Sequence, residues 1–318
     1  MGWAAERARA VHDALDGAFP SGDGIAVAVT ALDGGDVAIV TTEGVPPDAR
    51  FEIGSVTKTM TATLLALLAG EGALALDDAI GRWLDAGRNA GITLSELATH
   101  TSGLPRLAPN QRAWGRNPYR NFTAERAEKG LRAVTSKPEQ GRLYSNFGYQ
   151  LLGLVLARAA GRPYQDLLAE RLLAPLGMTC SGVGAAAAGT RLTGHANGRP
   201  VPHWDHALPG AGGVEASIGD LARYLRAVLA PPEGRLGDAI ELCLRPRVRI
   251  DRELWGGLGW TLGRGPGVCS HNGGTGGFCA STGLRRETGQ AIGGLANTSY
   301  TSAGALDRAV LGALAADR

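Results

Sequence analysis

The chain has 318 residues, 44% of them apolar and 19% charged, which is enough for one large domain or two intimately packed ones. A net charge of +2, with the basic residues scattered singly, carries no strong field, so neither nucleic acid nor an anionic membrane is an expected partner. The most apolar run, Ala62 to Ala69, is too short to span a bilayer.

In chain order, the spacing of Val11, Leu15, Ala18 and Phe19 predicts an amphipathic N-terminal helix. The stretch before it lacks the apolar core of a secretory signal. A cytoplasmic protein is expected, or a secreted one if a leader has been removed. Ile25 to Leu32 reads as a strand, Asp33-Gly34-Gly35-Asp36 as a turn and Val37 to Thr41 as a second strand, together a hairpin. Gly54-Ser55 opens a helix from Val56 to Leu68 that Gly70 and Gly72 stop. From Asp77 to about Ala174 the pattern is helical. Thr93-x-x-Glu96 is a capping box, and Gly148 to Ala160 and Tyr164 to Leu173 are further helices. Ser217-x-x-Asp220 caps a helix through Leu229. After Pro231-Pro232 the chain reads as β, with strands at Leu258 to Leu262, Phe278 to Leu284 and Gln290 to Ala296. Ala303 to Ala315 is a terminal helix.

Strands at both ends and helices between them predict an α+β fold. Its antiparallel β-sheet is built from residues 1–76 and 207–318 and flanked by the terminal helices. An all-helical domain, residues 77–206, is inserted into it, and the groove between the two parts is the natural ligand site.

Arginine supplies 29 of the 32 basic residues; the three lysines are Lys58, Lys129 and Lys137. Only lysine can become a neutral base when buried. Lys58 has a serine three residues before it, and positions i and i+3 share a helix face, so the Ser55 hydroxyl and the Lys58 amine can meet. The helix N-terminus there favours a developing oxyanion. Tyr144-x-Asn146 follows Gly141 and precedes an apolar helix. A phenol beside an amine can relay protons, and an Asn side chain can hold an amide or ester. Tyr119-x-Asn121 has the same spacing and stays a rival. Ser270 to Phe278 is a glycine-rich cluster at the start of a strand, where a ligand can approach the backbone and His271 can donate to it.

The ordered triple Ser55-x-x-Lys58, Tyr144-x-Asn146 and His271-x-Gly273 resembles the serine β-lactamase and penicillin-binding-protein superfamily. It is most similar to the branch of class C β-lactamases and D-alanyl-D-alanine carboxypeptidases, which also holds esterases and transacylases. Phe51 to Lys58 resembles that branch's nucleophile segment, and Leu97 to Pro105 its helical-domain loop. Gly212-Gly213 with Ser217 and Asp220 resembles its helix start beside the active site. The likeness runs over roughly residues 25 to 300. It implies that Ser55 forms an acyl-enzyme while Lys58 and Tyr144 carry the proton. It further implies that Asn146 holds the acyl side chain and that the N–H groups of Ser55 and Gly274 bind the oxyanion. His271 stands where many β-lactamases have Lys. Neutral histidine anchors a carboxylate less firmly, which argues against efficient β-lactam hydrolysis.

The expected function is therefore a serine hydrolase or acyl-transferase acting on a small-molecule ester or amide, with no cofactor and no metal. A β-lactamase or D-alanyl-D-alanine carboxypeptidase is the alternative, and a catalytically silent binding protein of the same fold is the second. Oligomeric state stays open. His203-Trp-Asp-His206 with His195 offers histidines for zinc but no acid ligand at metal-site spacing. Ser102 is a rival nucleophile. Trp114, Tyr119, Trp204 and Trp260 are candidates to line the groove, and loops 105–121 and 195–210 to set the substrate. Cys180, Cys243, Cys269 and Cys279 show no CxxC spacing and are expected as free thiols.

Overall fold

The computed structural model describes residues 2–16, 18–19, 24–111, 117–263, 268–299 and 303–316. Helix α1 (Trp3–Asp16) buries Ala4, Ala8, Val11 and Leu15 at three- and four-residue spacing, while Ala18 lies beyond it and is exposed. The hairpin follows as β1 (Val27–Asp33) and β2 (Asp36–Thr41), with Asp33 opposite Asp36 and Gly34 supplying a φ of +57°. Strand β3 (Arg50–Glu52) leads through a 3₁₀ turn, Gly54–Val56, into α2 (Thr57–Gly70), which ends at Glu71 before Gly72 at φ +75°.

Helices α3 (Leu94–Thr99), α4 (Ala124–Ala133), α5 (Asn146–Ala160) and α6 (Tyr164–Leu168, prolonged by a π turn to Leu173) occupy the middle of the chain. Thr93 and Glu96 form the expected capping box, and Gly161 closes α5 at φ +63°. The short strands β4 (Ser181–Val183), β5 (Gly194–Ala196), β6 (Arg199–Val201) and β7 (Val214–Ser217) come next. Helix α7 (Ile218–Leu229) is capped by Ser217, whose hydroxyl accepts from Asp220 N at 3.2 Å. Helix α8 (Arg235–Cys243) precedes β8 (Val248–Arg249), β9 (Trp255–Gly256), β10 (Thr261–Leu262), β11 (Val268–Gly274), β12 (Cys279–Arg285), β13 (Gln290–Ala296) and α9 (Ala303–Ala315).

Among the described residues the large sheet has eight strands in the order β2-β1-β13-β12-β11-β10-β9-β8, antiparallel throughout, so the two ends of the chain interleave at its centre. The period-2 alternation gives each face a partner. Val27, Val29, Ala31, Ile292 and Ala296 pack with α1 and α9, whereas Ala28, Leu32, Ala291 and Leu295 join the core on the other side. Adjacent glycines fit helices to both faces: a Cβ at Gly293 would meet Leu221 and Leu225 of α7, and one at Gly294 would meet Leu306 of α9. Beneath the sheet, α2 is buried on every side from Thr57 to Leu68. No helix among the described residues is long and apolar enough to cross a membrane.

The structure corrects four readings. The segment after Pro231-Pro232 starts not as strand but as α8, whose Leu236, Ala239, Ile240 and Cys243 recur at helical spacing on the packed side. The strand expected at Leu258–Leu262 is reduced to β10, because Gly259, at φ +73°, turns the chain against α2 with room for no side chain beside Lys58 O. The glycine cluster at 270–278 does more than open a strand: His271 to Gly274 end β11, paired with Ser281 and its neighbours, before Thr275 to Phe278 turn into β12. Finally, β4, β5 and β6 lie inside the stretch 77–206, expected to be helical throughout; β4 pairs with β7 beside β3.

Candidate active site

The Gly54–Val56 turn and α2 bring the first pair together. Lys58 is fully buried, and its Nζ lies 2.9 Å from Ser55 Oγ and donates to the Ala211 carbonyl at 2.5 Å. Among the described residues no carboxylate pairs with it. A buried ammonium without a counter-ion is costly. Burial first, and the nearby Arg106 guanidinium second, hold the Lys58 pKa well below that of an ordinary lysine. The amine is thereby prepared to act as a base toward the Ser55 hydroxyl beside it.

Tyr144 lies in the loop before α5, half-buried, with Lys58 Nζ 5.0 Å from its ring centre. The same nitrogen is 5.6 Å from the Tyr149 ring, whose hydroxyl donates to Ala98 O at 2.7 Å and whose pKa burial pushes far up. Tyr149 is therefore a neutral wall. Ser145 caps α5, its Oγ accepting from Gly148 N at 2.8 Å and donating to Pro105 O at 2.7 Å.

The end of β11 runs past the nucleophile turn at backbone contact distance. A Cβ on Gly273 would stand 2.1 Å from Ile53 O and 2.7 Å from Ser55 N; one on Gly54, at φ +49°, would stand 2.5 Å from Gly274 N. Glycine at 54 and 273 lets the end of β11 pass against the turn that carries the Ser55 amide, with the amide of Gly274 close by. His271 is half-buried, its Nδ1 2.6 Å from Asn272 O. Burial, then the charge on Lys58, holds its pKa below the ordinary value, so it is neutral near pH 7. It does not line the cavity over Ser55; Asn272, Gly273 and Gly274 do.

That cavity encloses about 420 Å³, the size of a small-molecule site. Asn146 reaches into it from the first turn of α5, its Nδ2 donating to Tyr119 Oη at 3.2 Å. Asn146 Oδ1 is buried without a partner, an acceptor left for a ligand N–H. Tyr119 stacks on His206, ring centres 4.4 Å apart at 13°. Burial, then the Lys58 charge, pushes the His206 pKa down to about 3. Trp204 and Arg106 complete the wall.

Several candidates do not join the site. Ser102 is buried elsewhere and does not line this cavity. Asn121 is exposed, so of the rival pair only Tyr119 takes part, as a partner of Asn146. Trp260 is core, stacked on Tyr224, and Trp114 lies outside the described residues. The three histidines considered for zinc diverge: His195 meets Asn297, His206 meets Tyr119, and His203 Nδ1 is 2.8 Å from Glu52 Oε1. Glu215 joins His203 and Glu52 within 4.8 Å, but Arg191 and Arg50 already pair with it. Cys243, Cys269 and Cys279 are buried free thiols pushed up to about 12, and Cys180 is a half-buried one. Arg106 and His206 were not singled out from sequence. Arg106 follows the Leu104-Pro105 pair of the loop and carries no local pattern of its own, and His206 was weighed only as a zinc ligand.

The β-lactamase family model matches residues 12–317. The D-alanyl-D-alanine-carboxypeptidase/endopeptidase AmpH of Escherichia coli (strain K12) is 31% identical over 258 residues, covering 73% of this chain and 66% of AmpH. A β-lactamase of the same organism is 28% identical over 229 residues, covering 67% of this chain and 57% of its own. This chain thus spans just under two thirds of the first relative and somewhat more than half of the second. A class C β-lactamase structure superposes with a TM-score of 0.82 over 98% of both chains at 21% identity, which shows the shared fold. The family match takes in the Ser55 turn, the Tyr144 loop and the end of β11 alike, and this chain belongs to the β-lactamase family of serine hydrolases.

Proposed function

We propose that the protein is a serine hydrolase or acyl-transferase working through an acyl-enzyme on Ser55, with a small-molecule ester or amide as substrate. The observation that carries this is the contact of 2.9 Å between Ser55 Oγ and a lysine amine that has neither solvent nor a counter-ion. Neutral Lys58 takes the hydroxyl proton as Oγ attacks the carbonyl. The N–H groups of Ser55 and Gly274 receive the oxyanion. Tyr144, beside the Lys58 amine, passes the proton to the leaving group as the carbon–heteroatom bond breaks. Asn146 holds the acyl side chain, and Gly273 with Gly274 shapes the wall that faces it. Water or a second nucleophile, deprotonated along the same route, then takes the acyl group and restores the Ser55 hydroxyl. An esterase, an amidase or a biosynthetic transacylase fits this scheme.

The relationship to AmpH favours a second reading, a D-alanyl-D-alanine carboxypeptidase or β-lactamase. His271 in place of a lysine argues against efficient β-lactam hydrolysis, since a neutral imidazole offers a substrate carboxylate no fixed charge, but leaves a carboxypeptidase open. Turnover of a chromogenic ester, compared with that of a chromogenic cephalosporin, separates the two. In either case fluorophosphonate labels the protein and Ser55→Ala abolishes the label. A protein that turns over neither compound and takes no label is a silent binder, and the proposal fails.

A further inference from the structure

Arg106 is exposed at the cavity mouth, its guanidinium carbon 5.3 Å from the centre of the Tyr144 ring. Among the described residues no Asp or Glu pairs with it, and no acidic side chain lines the cavity at all. Of the other arginines nearby, Arg120 and Arg191 both meet Asp205, while Arg142, also without an acidic partner among the described residues, lies beside Gly256 and does not line the cavity. Arg106 is also held in place. Its carbonyl accepts the backbone N–H groups of Asn146 and Phe147 at 3.0 and 3.1 Å, which fixes its main chain beside Asn146. A planar five-donor cation that lines the same cavity as the unpaired Asn146 Oδ1, without an anion of its own among the described residues, suits a carboxylate.

We propose that Arg106 determines specificity by binding a carboxylate carried on the acyl part of the substrate, so that the preferred substrates are esters or amides of acids bearing a second, distal carboxyl group. This rests on the Ser55 acyl-enzyme reading and adds the class of acyl group to it. The carboxylate takes the two outer N–H groups of the guanidinium side by side. Asn146 holds the chain between that carboxylate and the scissile carbonyl.

Three p-nitrophenyl-type esters test it. One is the p-nitrophenyl ester of 4-carboxyphenylacetic acid. The second is its neutral 4-carbamoyl counterpart of the same shape. The third is the phenylacetate ester of 4-hydroxy-3-nitrobenzoic acid, which moves the carboxylate to the leaving group. The expected result is a kcat/KM roughly ten- to a hundredfold higher for the first than for the second, as befits a charge-assisted pair. The advantage shrinks as salt is raised. In Arg106→Gln the ratio falls toward one, Arg106→Lys restores part of it, and Arg106→Glu inverts it. An unaltered ratio in Arg106→Gln overturns the proposal, as does a wild-type protein without anionic preference or one whose preference follows the carboxylate to the leaving group. Fluorophosphonate labelling of Ser55 is read in parallel. Normal labelling without anionic preference sinks the role of Arg106 alone. Absence of labelling sinks the serine chemistry, and this inference with it.

Discussion

Ser145 donates its backbone N–H to Nδ1 of His100 at 3.1 Å, while the carbonyl of His100 accepts from Leu143 N at 2.8 Å. The residues on either side of Tyr144 are thus stapled to one turn, and the His100 ring lies 4.4 Å from the Tyr144 ring. Burial, then the charge on Lys58, holds the His100 pKa well below its ordinary value. The imidazole is therefore neutral, with a lone pair on Nδ1 facing the donor. His100 also adopts φ +64°, a left-handed conformation that asparagine tolerates and most side chains do not.

His100 is on this account a positioning residue for Tyr144. His100→Asn keeps the turn and can keep an amide-oxygen acceptor near the Nδ1 position, but loses the ring against Tyr144. Its kcat for a chromogenic ester is expected to fall about tenfold or more, with a smaller change in KM, about 1.4 kcal/mol of lost transition-state stabilisation per tenfold. A variant that loses thermal stability but keeps kcat would assign His100 a structural role only.

Lys58 couples stability to pH with a definite sign. Its folded pKa is lowered, by burial first, from an unfolded value of about 10.4. Between those two values the unfolded chain holds a proton that the folded chain does not, so stability rises with pH across that window. Lys58→Met has no such dependence. The difference in Tm between Lys58→Met and wild type, measured from pH 7 to pH 10, is expected to move steadily in favour of wild type as pH rises. A constant difference would mean that the amine is not held neutral by the fold. The same amine places the alkaline-rising limb of kcat/KM well below pH 10.

Gly273 tests the packing that shapes the oxyanion space. A Cβ there would overlap Ile53 O at 2.1 Å, and both partners are backbone, so nothing small can yield. Gly273→Ala is expected to cost about 2 kcal/mol of stability and to slow fluorophosphonate labelling by an order of magnitude or more. Chemical denaturation and labelling rates measured together check it. Wild-type labelling in the alanine variant would show that β11 does not supply the oxyanion contact.

Local chemistry explains what the sequence disclosed. The Asp33–Asp36 turn, the caps at Thr93 and Ser217, and the terminal helix each depend on neighbours within a few residues. The S-x-x-K spacing worked for the same reason: one helical turn puts both groups in reach. Helix α8 was legible in its 3–4 spacing, but the proline pair before it diverted the reading. Strand β11 was missed because its end is written in glycines, where close packing against Gly54, not turn formation alone, requires them. Arg106, His206 and the partner of His100 were illegible because their meaning lies in contacts across the cavity or across tens of residues. A charge without a counter-ion is a property of three-dimensional surroundings, and no local pattern announces it.

Intact-protein mass spectrometry within seconds of mixing with a p-nitrophenyl ester tests the central claim most directly. The account predicts one added acyl group, mapped by peptide fragmentation to Ser55, absent in Ser55→Ala and formed far more slowly in Lys58→Met. Release of p-nitrophenol with the adduct on another residue such as Ser102, or with undiminished acylation in Lys58→Met, would contradict it.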